Sequence, residues 1–361
     1  MEKKFSYQQL IDFAQAIFIK IGTTEQDAFT AAKALIAADI RGIDSHGVAR
    51  LSGYVRLWEA KRVNATPQIK IVHETPSTAV VDGDSGLGLV VAPFAMRVAL
   101  DKAKAVGTGW VSVKGSNHFG IAGYHAMMAL PEDMIGIAMT NASAIVAPTF
   151  SITRMLGTNP IAVAIPAGKE FPFVADFATT TAANGKLELL QRINKDTPSG
   201  WVQDKDGLPS NNANELKQGG ALLPLGSDRE HSSHKGYALG SIVDIFSGVL
   251  SGANYGPWVP PFPAYIPMPS FMPGDGIGHF FGAMRIDAFR TATEFKADMD
   301  QWIQAFRAAK PIAGQEKVLI PGDPEREMET IRMQEGIPIV DVVVRDLQQL
   351  GQRFGIDFVV N

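Results

Sequence analysis

The sequence predicts an α/β protein with a helical unit at its N-terminus and further helices at its C-terminus. Three apolar stripes with helical spacing follow one another over residues 1–65. From Ile69 onward, short β-type runs such as IKIVHE and TAVVDGD alternate with helix-like stretches. Beyond Phe289 the pattern returns to amphipathic helices. The 361 residues, 46% of them hydrophobic, can bury one large core or two to three smaller ones.

Capping residues predict the first two helices. Ser6 is followed three residues later by a glutamine, which is the capping-box pattern, and the apolar stripe after it stops at Gly22. Thr24 caps a second helix rich in alanine. That helix ends at Gly42, whose missing side chain suits a left-handed stop. A third helix therefore begins close to this glycine.

The stretch RGIDSHGVARLSGYVRLW, residues 41–58, carries more polar chemistry than any other segment. Its apolar spacing predicts a helix that begins at the Asp-Ser-His corner. On that helix His46, Arg50 and Tyr54, which are four residues apart, would share one face. An imidazole exchanges a proton near neutral pH, a guanidinium can clamp a carboxylate, and Ser45 can orient the imidazole. An ordinary helix cap with a solvated histidine and arginine fits the same residues, so the residues alone leave both interpretations open.

A second polar cluster follows the buried strand WVSVKGS. Its His118 lies where this strand gives way to a short helix, a position from which side chains and helix amides often face a ligand. More polar residues end other apolar runs, where open sheets collect ligand groups, although such residues are also ordinary in turns. They are Ser143, Thr158, Asp176, Thr179 and Thr180. Lys235, just inside a later helix, is placed to meet an anion or ribose hydroxyls, or is simply a solvated lysine.

Composition excludes several classes of partner. The formal charge of −4 and the scattered lysines and arginines argue against nucleic acid. The chain has no cysteine, which excludes disulfides, thiolate metal sites and cysteine nucleophiles and is compatible with a reducing cytoplasm. No segment has the length and apolarity of a signal core or a membrane span, so a cytoplasmic protein without a membrane partner is predicted. His231 and His234 lack a neighbouring acidic cluster, and no metal is predicted.

Familiar catalytic fingerprints are missing from the sequence. There is no G-x-G-x-x-G of the common dinucleotide fold, no P-loop, no H-E-x-x-H helix and no G-x-S-x-G elbow. The sequence therefore lacks the motifs that usually identify a Rossmann dehydrogenase, an NTPase, a zinc protease or an α/β-hydrolase.

Five short motifs nevertheless occur in a specific order. They are Asp44-Ser45-His46-Gly47-Val48 with Arg50 and Tyr54, Ser116-Asn117-His118-Phe119-Gly120, Leu156-Gly157-Thr158-Asn159-Pro160, Asp176-Phe177-Ala178, and His234-Lys235-Gly236-Tyr237. In this order they resemble the malate/L-lactate dehydrogenase family of NAD(P)-dependent oxidoreductases. The resemblance runs from the first helix to the turn at residues 321–325.

The resemblance implies a non-Rossmann fold that binds NAD or NADP on a largely antiparallel mixed sheet, which accounts for the missing glycine fingerprint. It implies that His46 and His118 transfer the proton and that Arg50 binds the substrate carboxylate, with Ser45 and Tyr54 beside them. Cofactor contacts carry over to Ser143, Thr158, Asp176, Phe177, Ala178, Thr179, Thr180, His234, Lys235, Gly322 and Asp323.

The expected organisation has three parts. Residues 1–65 form the N-terminal helical unit with the catalytic corner. Residues 66–115 and 280–361 form a core α/β domain completed by the C-terminal helices, and residues 116–279 form the NAD(P)-binding domain. The last part includes an irregular Pro/Gly-rich excursion at 251–278, which is expected to pack on another surface, such as that of a second subunit. The family's members are generally homodimers with the active site close to the subunit boundary, so a homodimer is expected.

The expected reaction is hydride transfer between a nicotinamide cofactor and the C2 carbon of a small 2-oxo acid, which gives an L-2-hydroxy acid. Two alternatives stay open at this point. One is reduction of a cyclic imine carboxylate such as piperideine-2-carboxylate or pyrroline-2-carboxylate, with the same arginine binding the acid. The other is a homologue that binds the nicotinamide cofactor without catalysis.

Overall fold

A computed structural model describes residues 3–359 as a mixed α/β protein. Its α-helices within that range are α1 Tyr7–Lys20, α2 Glu25–Ile40, α3 Leu51–Glu59, α4 Gly88–Val106, α5 Ala122–Met127, α6 Asn184–Arg192, α7 Ser233–Asp244, α8 Ala292–Arg307, α9 Asp323–Glu335 and α10 Asp341–Phe354. Its strands are β1 Lys3–Phe5, β2 Lys70–Glu74, β3 Thr78–Asp82, β4 Thr108–Ser116, β5 Met134–Thr140, β6 Ile161–Ile165, β7 Phe173–Phe177, β8 Val202–Gln203, β9 Pro209–Ser210, β10 Ala221–Leu222, β11 Ile277–Arg285 and β12 Ile337–Ile339.

A seven-stranded sheet lies at the centre of the described chain. Its strand order is β2-β3-β4-β11-β5-β6-β7, and only the β3–β4 pair is parallel. The predicted mixed, largely antiparallel sheet is therefore confirmed. Two glycines let helices approach it closely, because a Cβ at Gly109 or Gly136 would lie 2.0 Å from a backbone oxygen of α4 or α5.

The N-terminal helices share one apolar cluster with the C-terminal residues. Ser6 and Thr24 cap α1 and α2 as predicted. Buried side chains of α1, α2 and α3 pack with those of α10, and β1 pairs with β12. The division into three domains stays a prediction. The packing adds that residues 337–358 share a core with the N-terminal helices.

The prediction of one continuous helix from the Asp-Ser-His corner is wrong. Residues 44–50 form two short 3-10 turns, and α3 begins only at Leu51. The buried carboxylate of Asp39 accepts the N–H of the residue after Gly47 at 2.6 Å, and a Cβ on that glycine would lie 2.0 Å from the carboxylate. The chain therefore bends here. His46 precedes the helix instead of sharing its face.

The rest of the chain connects these layers. Residues 202–210 form the β8–β9 hairpin, and α7 continues through a π turn over residues 245–249. Of the excursion predicted at 251–278, residues 251–276 are irregular apart from one 3-10 turn, as their proline and glycine content predicts. Its predicted end is wrong by two residues, because β11 already begins at Ile277. Among residues 3–359, no helix combines the length and the apolarity that crossing a membrane requires.

Candidate active site

The two histidine corners meet in the folded chain. The rings of His46 and His118 stack with centroids 5.7 Å apart and an interplanar angle of 21°. The Tyr54 hydroxyl lies 2.7 Å from His118 Nδ1, and Ser45 Oγ lies 2.9 Å from His46 Nδ1. Both imidazoles are half-buried, whereas Tyr54 is fully buried. The structure thus brings these predicted residues together, and their chemical roles stay predictions.

The hydrogen bonds of His118 define where its proton lies. The Gly120 N–H donates to His118 Nδ1 at 3.3 Å, and a backbone N–H can only donate. Nδ1 is therefore an acceptor, the Tyr54 hydroxyl also donates to it, and the neutral ring carries its proton on Nε2. Burial and the neighbouring His46 and Arg50 lower the pKa of His118 well below its ordinary value. This ring is neutral at pH 7 and offers an N–H on its free side.

Arg50 sets the charge around His46. Its Nε donates to the Ser45 carbonyl at 2.6 Å, and its Nη2 lies 3.5 Å from Glu188 Oε2. Burial, and then the positive charge of Arg50, lower the pKa of His46 to about 4. Both histidines are therefore neutral at pH 7, the state in which an imidazole can accept a proton.

Helix α6 covers this corner, which the sequence did not indicate. A Cβ at Gly185 would lie 2.6 Å from the Ser45 Cβ, so the missing side chain lets the helix approach. Glu188 on this helix faces Arg50 and also accepts from Asn184 Nδ2 at 2.9 Å. A carboxylate of the protein thus lies beside the guanidinium that is expected to bind the substrate carboxylate. Nothing in the spacing of α6 residues distinguishes Glu188 from an ordinary surface glutamate.

The polar residues at the end of β7 mostly bond within the chain. The Thr179 hydroxyl donates to the Thr158 carbonyl at 3.2 Å, and the buried Thr180 hydroxyl donates to a nearby carbonyl. The Asp176 carboxylate accepts the Gly123 N–H at 2.7 Å, and burial raises its pKa to about 6. These side chains are therefore committed to the fold. Phe177, 41% exposed, and the half-buried Ala178 remain accessible for the predicted cofactor contact.

His234 and Lys235 lie in the first turn of α7. Lys235 is exposed and forms no ion pair with the residues at 3–359. Burial and the charges of Arg229 and Lys235 lower the pKa of His234, and Arg229 donates to its ring. A cavity of about 360 Å³ opens beside this turn, between residues 148–152 and 223–233. Arg229 lines this cavity together with the carboxylates of Asp206, Asp228 and Glu230, whereas Lys235 is not part of its lining. The exposed Lys235 in the first turn of the helix is therefore the position that favours a phosphate group.

The turn at Gly322 packs against β7. Gly322 has φ +97°, and a Cβ there would lie 3.1 Å from the Val174 side chain. The Asp323 carboxylate, 6% exposed, accepts from the Ile320 N–H at 2.9 Å and from Arg307 at 2.9 Å. Although burial opposes it, these donors hold the pKa of Asp323 below its ordinary value. Its side chain therefore fixes the turn, and the predicted cofactor contact of this turn stays a prediction.

Two further residues of the candidate site have no signal in the local sequence. Phe262, in the Pro/Gly-rich excursion, lies with its ring centroid 4.7 Å from that of His118, and its N–H donates to Ser143 Oγ at 3.2 Å. The buried His279 on β11 bonds to Ser116 Oγ at 2.7 Å, at the base of the His118 turn. Both contacts join residues far apart in the sequence, so no local pattern reports them.

Among residues 3–359, no group of three or more histidine, aspartate or glutamate side chains comes together as metal ligands. What the site offers is two neutral imidazoles beside a guanidinium, on a sheet that is largely antiparallel. This arrangement is suited to moving a proton to or from an anionic substrate.

Comparison with known proteins defines the family. A family model described as malate/L-lactate dehydrogenase matches residues 5–348. The malate dehydrogenase of Pyrococcus horikoshii is 41% identical over 350 residues, which cover 97% of this chain and 95% of that protein. The L-sulfolactate dehydrogenase of Methanocaldococcus jannaschii is 37% identical over 339 residues, 94% of this chain and 93% of that one. The crystal structure of malate dehydrogenase from Entamoeba histolytica covers 99% of both chains with a TM-score of 0.92 and 33% identity.

The chain belongs to the malate/L-lactate dehydrogenase family. The resemblance carried by its five motifs is thereby confirmed.

Proposed function

We propose that the protein is an NAD(P)-dependent oxidoreductase that interconverts a 2-oxo acid and an L-2-hydroxy acid. The observation that carries this proposal is the stacked, neutral pair of His46 and His118 beside the guanidinium of Arg50. A hydroxy acid needs a base for its hydroxyl proton and a cation for its carboxylate. Both groups are present within one corner of the fold.

The two histidines take different parts in this proposal. His118 uses Nδ1 to accept from Tyr54 and Gly120, so its Nε2–H donates to the substrate oxygen. In the tautomer of His46 whose Nδ1–H donates to Ser45 Oγ, the Nε2 atom is free to accept the hydroxyl proton. His46 is thus the base in oxidation and, once protonated, the acid in reduction.

Arg50 fixes the substrate. Its planar fork binds the substrate carboxylate through the terminal nitrogens, while Nε stays bonded to the Ser45 carbonyl. The substrate carboxylate takes the place of Glu188 beside the guanidinium. Because His46 follows Ser45 directly, the carboxylate and the proton acceptor are held at a fixed separation, as orientation of the reacting carbon requires.

The residues present fit a nicotinamide cofactor, which supplies or accepts the hydride when bound. Lys235 in the first turn of α7, with Arg229 four residues before that helix, would hold its phosphates. Phe177 and Ala178 would contact the cofactor through their backbone and apolar surface. The Ser143 hydroxyl accepts the N–H of Phe262, whose ring packs on His118. Either NAD or NADP agrees with these contacts.

The lowered pKa of His46 predicts the pH dependence of oxidation. Since His46 must be unprotonated to act as base, and its pKa is about 4, kcat/KM for a 2-hydroxy acid should stay level from about pH 8 to about pH 5 and fall only toward about pH 4. A histidine at its ordinary pKa of about 6.5 would already be mostly protonated at pH 5. Initial rates across this range, with a substrate that stays ionised, measure the difference. A decline centred near the ordinary value would contradict the proposed environment of His46.

We also propose that the protein is a homodimer that associates through α7. This helix and the π turn after it expose a row of apolar side chains with exposures between 37% and 58%: Tyr237, Leu239, Ile242, Ile245, Phe246, Val249 and Leu250. A contiguous apolar surface of this kind marks a protein interface.

The dimer is tested with Ile242→Asp, and Leu208→Asp serves as the control because Leu208 is an exposed leucine in the β8–β9 hairpin. Burying an unpaired carboxylate in an apolar interface costs its hydration free energy. We therefore expect light scattering to show that the Ile242→Asp variant is a monomer. The wild type and the control should be dimers. A monomeric wild type would refute the proposal.

The reaction is tested by following absorbance of the reduced cofactor with NADH and NADPH against a panel of acceptors. The panel contains oxaloacetate, pyruvate, sulfopyruvate and piperideine-2-carboxylate. Turnover of a 2-oxo acid with formation of the L-hydroxy acid supports the proposal. Turnover of the imine alone would favour an imine reductase. Cofactor binding without any turnover would favour a non-catalytic homologue.

A further inference from the structure

One side chain of the Pro/Gly-rich excursion returns to the candidate active site. The Phe262 ring lies 4.7 Å from the His118 ring, tilted by 47°, and 5.3 Å from the Tyr54 ring in an edge-to-face arrangement of 75°. It is half-buried, whereas Tyr265, three residues later, is 83% exposed. The phenyl ring therefore packs on both partners of the Tyr54–His118 hydrogen bond.

Polar contacts on both sides hold Phe262 in place. Its own N–H donates to Ser143 Oγ at 3.2 Å, and the carbonyl of the buried Pro261 accepts from the Arg62 guanidinium. The run VPPFPAY places prolines on either side of the ring, which restricts its backbone before the contacts form. The ring is thus held in position and does not depend on the exposed remainder of the excursion.

Gly53 in helix α3 leaves the space that the Phe262 ring occupies. A Cβ at Gly53 would lie 2.8 Å from Phe262 Cζ and 2.9 Å from its Cε1. Glycine inside a helix is destabilising relative to alanine, so its presence next to Tyr54 needs a reason. The close approach of the Phe262 ring supplies one.

We propose that Phe262 is a specificity-determining residue that forms the apolar wall of the site beside His118. This inference rests on the proposed 2-oxo acid function. The wall limits the size of the group attached to the reacting carbon, because a packed ring anchored from both sides yields little space. It also keeps water from the imidazole, which agrees with the lowered pKa of His118.

The specificity is tested with Phe262→Ala, with Phe262→Leu as a milder second variant and Tyr265→Ala as the control from the same segment. The measured quantity is kcat/KM for phenylpyruvate divided by kcat/KM for pyruvate. We expect Phe262→Ala to raise this ratio on the order of 10-fold or more, since apolar pocket contacts discriminate on that scale. Phe262→Leu should raise it less, and Tyr265→Ala should keep the wild-type ratio. An unchanged ratio in both Phe262 variants overturns the proposal.

A second readout does not depend on turnover. Diethyl pyrocarbonate modifies accessible neutral imidazoles, and peptide mass spectrometry reports the rate at His118. In the cofactor-free protein, His118 should react faster in both Phe262 variants than in the wild type or Tyr265→Ala. If the wild type reduces no 2-oxo acid, the proposed function fails and this rate alone decides whether Phe262 shields the imidazole. Equal rates of His118 modification in all four proteins would then overturn the proposal that Phe262 forms a wall beside the imidazole.

Discussion

Replacing His46 by alanine is expected to lower kcat by ~10²–10⁴-fold with the best 2-oxo acid, the range that positioned acid-base catalysis contributes. The substitution removes the imidazole that stacks on His118 and bonds to Ser45, but it leaves the carboxylate site at Arg50. KM should therefore change much less than kcat. Steady-state kinetics measure both constants.

The matched control for this substitution is His73→Ala, because His73 is exposed on β2 and outside the site. It should retain wild-type turnover. Near-normal kcat in His46→Ala would remove His46 from the role of acid and base.

Replacing Arg50 by lysine is expected to lower kcat/KM by about 100-fold, as misplacement of a substrate by about 1 Å does. Lysine keeps the charge, but its single ammonium cannot donate to the Ser45 carbonyl and present a two-pronged fork to a carboxylate at the same time. The loss should depend on the substrate carboxylate. With pyruvamide, which lacks that charge, wild type and Arg50→Lys should differ far less than with pyruvate.

Arg56→Lys is the control for the arginine, since Arg56 is an exposed residue of the same helix α3. It should leave kcat/KM unchanged. If Arg50→Lys matched the wild type with pyruvate, the carboxylate would have to bind elsewhere.

Local patterns predicted the elements of the fold better than their pairing. The capping residues Ser6 and Thr24 mark the starts of α1 and α2, because a cap is a contact between residues close in sequence. The position of β11 between β4 and β5 joins residues about 140 or more apart. Such non-local pairing leaves no mark in a local pattern.

Residues 44–50 show how the buried polar side chain of Asp39 overrides helical periodicity. The apolar residues before Trp58 do repeat with helical spacing, yet α3 starts at Leu51. Asp39 binds the backbone beside Gly47 and replaces a helical hydrogen bond with one to a carboxylate. The convergence of His46 and His118 that the prediction needed is nevertheless present.

The sequence indicates some residues of the candidate site and not others, and the reason is physical. Residue types with a distinct chemistry, such as histidine and arginine, were identified from the sequence. The cofactor contacts of Thr179 and Asp323 stay predictions, and the structure adds that their side chains bond within the protein. Phe262 and Glu188 are ordinary residue types whose importance comes from where the fold places them.

A single-turnover experiment separates the proton transfer assigned to His46 from the carboxylate binding assigned to Arg50. The protein is loaded with reduced cofactor and mixed with its best 2-oxo acid, or with the corresponding amide, while cofactor absorbance is followed. We expect rapid oxidation of the bound cofactor by the acid, much slower oxidation by the amide, and loss of the rapid phase in His46→Ala. Equal rates with acid and amide, or an unchanged rapid phase in His46→Ala, would contradict it.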